Sequence, residues 1–527
     1  MTWGLSGLDT AIVLVYLAGI LVIGTTFSRY VKTSGDFLLA GRALPFWAIG
    51  MSIVVSDIGA TDFIAVAGGT YRYGLAQANF DWLGSMPALL IAAFLIVPFY
   101  WRSGVYTVPE FLGRRYGSGV RSFLALAWGV ILVLNLGIMI HATALLMRTV
   151  LGWDPQLSIW ITTAIVGIYT ISGGLAAVVM TDVLQLIIMF VGGAALVARA
   201  LYEVGGLAAL RDGVLNQGAQ YADHFSLYLP HDTTTPFPWT GIVLGLGIVL
   251  SIAYYTGNQT IVQRALGARS EWDAKAGVLL AGFLKLFIPL LVALPGLAAI
   301  LIVPDLQNAD EAVPSLIAQL LPPGLRGLMF AAFLAALMSS VDSNLNSAAT
   351  LWSRDLLGRL RRRLGRAELG TAAELRFGRI LSAVLLLVAA FIAPEIEQRF
   401  SNIYNAIQTV FSLIQGPTLA VLLLGILWRG ANRYGGAAGL VSGVGLCLLL
   451  NSPAMDGLFP SEEPFLFVAW WSFVFTLAVT WLVSRLTPPE PPERLRGLVW
   501  GEVRNDEAVQ AALRNRVDRL QDEAATR

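Results

Sequence analysis

Ser339, Ser340, Asp342, Ser343, Asn344, Asn346 and Ser347 interrupt an otherwise apolar run, FAAFLAALMSSVDSNLNSAATLW, at residues 330–352. Hydroxyl and carbonyl oxygens are hard ligands, suited to a small hard cation. Residues four apart share a helix face. Ala336 and Ser340 form one such pair, and Ser339, Ser343 and Ser347 a neighbouring row. Small residues also let helices pack closely, but packing does not account for Asp342. A second polar interruption lies in FWAIGMSIVVSDIGATDFIAVAGG, at Ser56, Asp57, Gly59 and Thr61. Glycine weakens a helix, and Ser, Asp and Thr can bond freed backbone groups. This pattern predicts a discontinuous membrane helix, whose carbonyls could coordinate sodium at mid-bilayer; the alternative is a glycine-rich packing helix.

Asp57, Asp62, Asp81, Asp182, Lys285 and Asp342 all fall within or at the ends of apolar stretches. Each such charge near mid-bilayer costs roughly 2.5–3.5 kcal/mol. Together they favour a polar pathway through the bundle. Asp182 follows Thr181 and precedes Gln185, and a buried carboxylate there needs a cation or a donor. The chain has no GxxxxGK[ST] phosphate loop and therefore no signal for ATP binding. The lone Cys447 excludes an internal disulfide and a cysteine-based metal site. His141 stands alone in an apolar run and reads as packing. No nucleophile–base pair or metal cluster suggests an enzyme, and a net charge of +1 gives no reason to expect nucleic acid.

These residues must be held by membrane helices. The 527-residue chain is 56% hydrophobic and 13% charged, about half the charge of a soluble domain. Stretches such as FLALAWGVILVLNLGIMI are long enough to cross the bilayer. About thirteen spans are expected, near 8–28, 46–66, 77–100, 121–148, 156–174, 180–202, 238–259, 274–303, 326–353, 377–395, 401–428, 435–452 and 465–486. Gly173-Gly174 predicts a tight turn between two of them. The first apolar run lacks a basic leader and a cleavage site, and reads as a span. Arg29, Lys32, Arg42, Arg102, Arg114, Arg115, Arg121, Arg264, Arg269, Lys275 and the arginines of 354–379 crowd alternate loops. The positive-inside rule then places the N-terminus outside and the C-terminus in the cytoplasm of a plasma (inner) membrane protein. Residues 1–486 form the membrane domain, and 487–527 a polar tail, where Leu513, Val517 and Leu520 suggest a short helix.

VYTVPEFLGRRYG at 105–117, SGGLAAVVMTD at 172–182, NQTIVQRALGARS at 258–270, LKLFIPLLVALPG at 284–296 and LMFAAFLAALMSSVDSNLNSAATL at 328–351 occur in order. Together they resemble the sodium:solute symporter family, which includes the sodium–glucose cotransporters. The resemblance covers about residues 8–485. It implies an all-α LeuT-type fold, with two inverted five-helix repeats at about 46–428 plus peripheral helices. It also implies a Na+ site at Val55, Ile58, Ala336, Ser339 and Ser340, and in some members a second cation, here at Asp182, Ser339, Asp342 and Ser343. Asp342 departs from members with a hydroxyl there and could serve a second cation or proton coupling. The sugar branch implies substrate contacts at Asp81, Ser251, Tyr254, Lys285 and Gln408, an outer gate at Phe80 and Tyr404, and Tyr254 as part of the inner gate. Asp62 stands where sugar transporters carry an amide or histidine, so it joins the candidate substrate contacts. Asp81 is shorter than the usual glutamate.

The expected function is secondary active symport, coupling inward Na+ flow to uptake of a sugar or polyol by alternating access. The alternatives are an amino acid, carboxylate or sialic acid substrate, or a transporter-like membrane sensor, for which a tail of about forty residues is short. The sequence leaves the oligomeric state open.

Overall fold

The computed structural model describes residues 5–28, 36, 39–365, 371–399, 403–461 and 463–500. Among them the regular elements are helices, and one isolated bridge joins Leu44 to Ala268. Nine helices among the described residues are long and apolar enough to cross a membrane, and a bent pair makes a tenth. The expected helix at Leu513, Val517 and Leu520 lies outside the described residues.

Helix α1 (Gly7–Ser28) is followed by α2 (Phe46–Asp57) and α3 (Ala60–Tyr73). The backbone leaves helical geometry at Ile58, with φ −102° and ψ 85°. The predicted discontinuity is therefore real, and it falls at the Ile58-Gly59 step. Helix α4 (residues 81–103) mixes α and π turns. Thr107 caps α5 (Val108–Tyr116) by accepting from Glu110 N at 3.0 Å. Then come α6 (Ser118–Leu151) and α7 (Pro155–Val204).

Helix α7 differs from expectation. Its helical backbone runs on through Gly173-Gly174, so the expected spans 156–174 and 180–202 share one helix, without the predicted turn. Interior glycine costs a helix only about 1 kcal/mol relative to alanine, which the apolar sequence on either side can outweigh.

A second broken span follows. Helix α8 (Gly241–Gly257) and α9 (Gln259–Leu266) meet at a bend of 50°. Asn258 makes the break: it is extended, and its side chain caps α9 by accepting from Thr260 N at 3.0 Å. Helix α10 (Glu271–Lys285) stops four residues before Pro289, which lies at the start of α11 (Ile288–Ile302), because proline has no N–H to donate to the carbonyl four residues back, that of Lys285, and its ring clashes with it. The remaining helices are α12 (Leu325–Thr350), α13 (Thr371–Arg399), α14 (Ile403–Leu427), α15 (Arg433–Leu450) and α16 (Phe465–Leu486).

Helix α12, which carries the polar run, is the most enclosed span. Its best 18-residue window is 89% buried, against 39% for α16 and 33% for α15. The hydroxyls and acid of 339–347 therefore face protein, not lipid, as the cost of lipid exposure demands. Helix α12 packs on α1, α6 and α7 and touches α2. Helix α10 lies close along α2, because a Cβ on Gly50 would sit 2.8 Å from Gly277 O.

Two arginines that the sequence assigns to basic loops are interior. Arg115 is fully buried and donates to Gly425 O (2.9 Å) and Trp428 O (3.1 Å) beyond the end of α14. Arg264 is 1% exposed. The described part of the tail also packs. Glu490 pairs with Arg433 and Arg494, Leu495, Leu498 and Val499 are buried, and Trp500 stacks on Phe99 at 5.9 Å. Burial raises the Glu490 carboxyl, but Arg433 and Arg494 outweigh it and hold its pKa down at about 2.

Candidate functional site

A cavity lined by many polar side chains opens beside the first break. Its walls come from α2, α3, α4, α6, α8, α9, α10, α12 and α14. Phe80, Asp81, Ser251, Tyr254, Lys285 and Gln408, all expected from sequence, line it together. Asp62 lies on α3 and Tyr404 on α14, but their side chains are outside those described. Ser56, Asp57, Asn135, Tyr255, Asn258, Thr260, Asn344 and Gln415 line the cavity as well. Sequence reasoning noted Ser56 and Asp57 in the broken helix but gave the cavity none of the eight. Asn344 stood in the polar run of α12 and Asn258 and Thr260 in the motif NQTIVQRALGARS, whereas Asn135, Gln415 and Tyr255 carried no signal apart from their place in apolar runs.

One charged cluster dominates the cavity wall. Lys285, the last residue of α10, is ion-paired with Asp57 of α2 and, at 2.8 Å, with Asp81 of α4. Tyr255 donates to Asp57 Oδ2 at 2.8 Å, and its hydroxyl lies 2.8 Å from Ser85 Oγ. Three elements are thus tied by one ammonium. Tyr254 meets Tyr255 and Phe411 edge-on, with centroids 5.3 and 5.7 Å apart. Phe80 leans on Phe237 and Phe465 at 5.9 and 6.4 Å, which fixes one rim of the cavity.

The candidate sodium ligands sit where α2 ends against α12. Val55, Ile58, Ala336, Ser339 and Ser340 are each at most 1% exposed. Ser56 Oγ bridges the two helices at 3.4 Å from Ser339 Oγ and 3.2 Å from Ser343 Oγ. Ser343 donates to Ser339 O at 2.6 Å, and Asn344 to Ser340 O at 2.8 Å. Ser340 Oγ, in contrast, is buried with no hydrogen-bond partner among the described residues. An unpartnered buried hydroxyl is costly, and on α12 beside Ser339, which faces Ser56 of α2, it is an oxygen that a dehydrated sodium ion could take.

Of the residues expected around a second cation, Asp182, Ser339 and Ser343 come together, with a guest that the sequence did not announce. The Arg264 guanidinium donates to Ser52 Oγ at 2.6 Å, to Ser343 Oγ at 2.5 Å and to Ser56 Oγ, and it pairs with Asp182 at 3.3 Å. Ser52 Oγ donates to Asp182 Oδ2 as well. Asp342 is 1% exposed and acts electrostatically on Arg264 and on Tyr16 of α1. Arg264 was missed because a basic residue near the end of a span reads as a loop charge. The helix break at Asn258, six residues before it, is itself seen only in the structure.

Comparison with known proteins agrees with this geometry. The sequence model of the Sodium:solute symporter family matches residues 37–443. The chain is 32% identical to the Sodium/glucose cotransporter of Vibrio parahaemolyticus over 92% of this chain and 91% of that one. It is also 32% identical to the Sodium/myo-inositol cotransporter of Canis lupus familiaris, over 93% of this chain and 74% of that protein. In structure it resembles a Na+-coupled sialic acid symporter in a substrate-bound outward-open state, with TM-score 0.80 and 21% identity, covering 92% of this chain and 99% of that one. The fold is thus LeuT-type, and the chain belongs to the sodium:solute symporter family.

Proposed function

We propose that this protein couples inward Na+ flow to uptake of a neutral sugar or polyol by alternating access around the cavity. One observation carries the substrate class. Tyr254, Gln408, Ser251, Asp81 and Lys285 converge on one cavity. An aromatic face with amide, hydroxyl and charged groups suits a polyol. Charge argues in the same direction. Among the described lining residues Lys285 is the only basic one, and it is already paired with Asp57 and Asp81. A carboxylate or sialic acid would meet net negative charge there. Names of the relatives, a sodium/glucose and a sodium/myo-inositol cotransporter, support this reading.

Sodium held by the carbonyls of Val55, Ile58 and Ala336 and the hydroxyls of Ser339 and Ser340 would fix α2 against α12 and so shape the cavity for solute. Coupling is reciprocal, so each ligand raises the affinity of the other by the same factor. A second cation at Asp182, Asp342 and Ser343 would share its carboxylates with Arg264, and a Hill coefficient for sodium above one would report it. The proposed orientation has the N-terminus outside and the C-terminus in the cytoplasm of the plasma membrane. The test is uptake of labelled glucose, galactose and myo-inositol into proteoliposomes, with and without an inward sodium gradient. Sodium-dependent uptake of at least one is expected. Sodium-dependent uptake of sialic acid or amino acids alone would overturn the substrate class.

A further inference from the structure

Arg264 sits behind the lining of the cavity. Two of its partners, Ser56 and Thr260, line the cavity, while the guanidinium itself is 1% exposed. Nε donates to Ser52 Oγ, Nη1 to Thr260 O at 2.5 Å, and Nη2 to Ser56 and Ser343 beside Asp182. These contacts join α2 and α9, the halves of the two broken spans that pack together, to α7 and α12. The same serine, Ser56, reaches Ser339 of the candidate sodium cage at 3.4 Å.

We infer that Arg264 is a charged plug. It bars cations from leaving the cavity between α2, α7, α9 and α12, and so keeps sodium movement tied to solute movement. The inference rests on the symport reading above. A guanidinium suits the task for two reasons. Its fork of donors pins four elements at once. Its charge opposes passage of a cation beyond Asp182 and Ser343. An opening on this side must break the whole set together, which makes the barrier cooperative instead of leaky.

The test is sodium flux into proteoliposomes with and without solute, for wild type, Arg264→Lys, Arg264→Gln and the double variant Asp182→Asn/Arg264→Gln. The double variant removes both buried charges and guards against loss of folding in the single one. Expected are a several-fold rise in solute-independent sodium flux and a lower solute accumulation ratio in Arg264→Gln and in the double variant. Arg264→Lys, which keeps the charge, should leak less than Arg264→Gln. A folded double variant with wild-type solute-independent flux would overturn the inference, as would equal leak in the Lys and Gln variants. Failure of the symport reading looks different: solute would then leave sodium flux unchanged in the wild type itself.

Discussion

Replacing Ser340 with alanine removes a hydroxyl on a residue that is 1% exposed, with no hydrogen-bond partner among the described residues. A buried unsatisfied polar group costs about 1–3 kcal/mol. Without sodium, therefore, Ser340→Ala should be as stable as the wild type or more so, with a gain of up to that size. With sodium the sign reverses. The hydroxyl is then an ion ligand, and a hydrogen-bond-strength contact to a charge is worth about 1.5–3 kcal/mol. That is roughly a ten- to hundredfold loss in sodium affinity. The assay is thermal unfolding of the purified protein in detergent, titrated with sodium chloride against choline chloride at constant ionic strength. Stabilisation grows as RT ln(1 + [Na+]/Kd). The variant curve should start no lower than that of the wild type and rise only at higher sodium. Ser343→Ala is the control, because Ser343 Oγ has partners: it donates to Ser339 O at 2.6 Å and accepts from Arg264 at 2.5 Å. That variant should lose stability already in choline. If Ser340→Ala melts lower in choline and keeps the sodium response, the hydroxyl has a protein partner and is no ion ligand.

Further outcomes follow from the same geometry. Lys285→Met leaves Asp57 and Asp81 facing each other without their cation, so it should cost about 3–5 kcal/mol and abolish uptake; adding Asp57→Asn should restore part of the stability, and thermal unfolding of both variants would read the coupling. Glu490→Gln should loosen the packed segment 488–500 and raise its proteolysis rate, whereas cleavage at the wild-type rate would mean that Arg433 and Arg494 do not hold it. Because the folded Glu490 pKa is depressed to about 2, this contribution is present above the ordinary glutamate pKa and is lost only as pH falls through about 2. Asp310 lies in the loop after α11, accepts from Ile403 N at 3.0 Å and nearly touches α3, since a Cβ on Gly68 would lie 2.6 Å from its Oδ1. Burial pushes its carboxyl up to about 7. A raised folded pKa gives stability that is complete below the unfolded value near 4 and is lost as pH rises through about 7. Asp310→Asn should flatten the fall in melting temperature between pH 5 and 8, and an unchanged slope would assign that fall to another group.

Much of the fold was legible because the bilayer is an unforgiving solvent. Lipid cannot satisfy backbone polar groups, so long apolar runs had to be helices, and polar residues inside them had to face protein. The breaks were unequal. Gly59 with Ser56 and Asp57 announced the first. The second, at Asn258, gave no comparable cluster, and only its capping bond to Thr260 explains it. Gly173-Gly174 marks the opposite case, a local signal for a turn that the helix overrode.

The sequence alone determined the family, the membrane spans in outline, and the residue types available for an ion and a polyol. Those follow from composition, period and motif, which are local. Tertiary structure decided partnership. It joined Lys285 to Asp57 and Asp81, left Ser340 Oγ without a mate among the described residues, and drove Arg264 from an expected loop into the interior beside Asp182. A charge buried in the membrane is tolerable only when a partner from another helix meets it, and which helices meet depends on how the whole bundle packs.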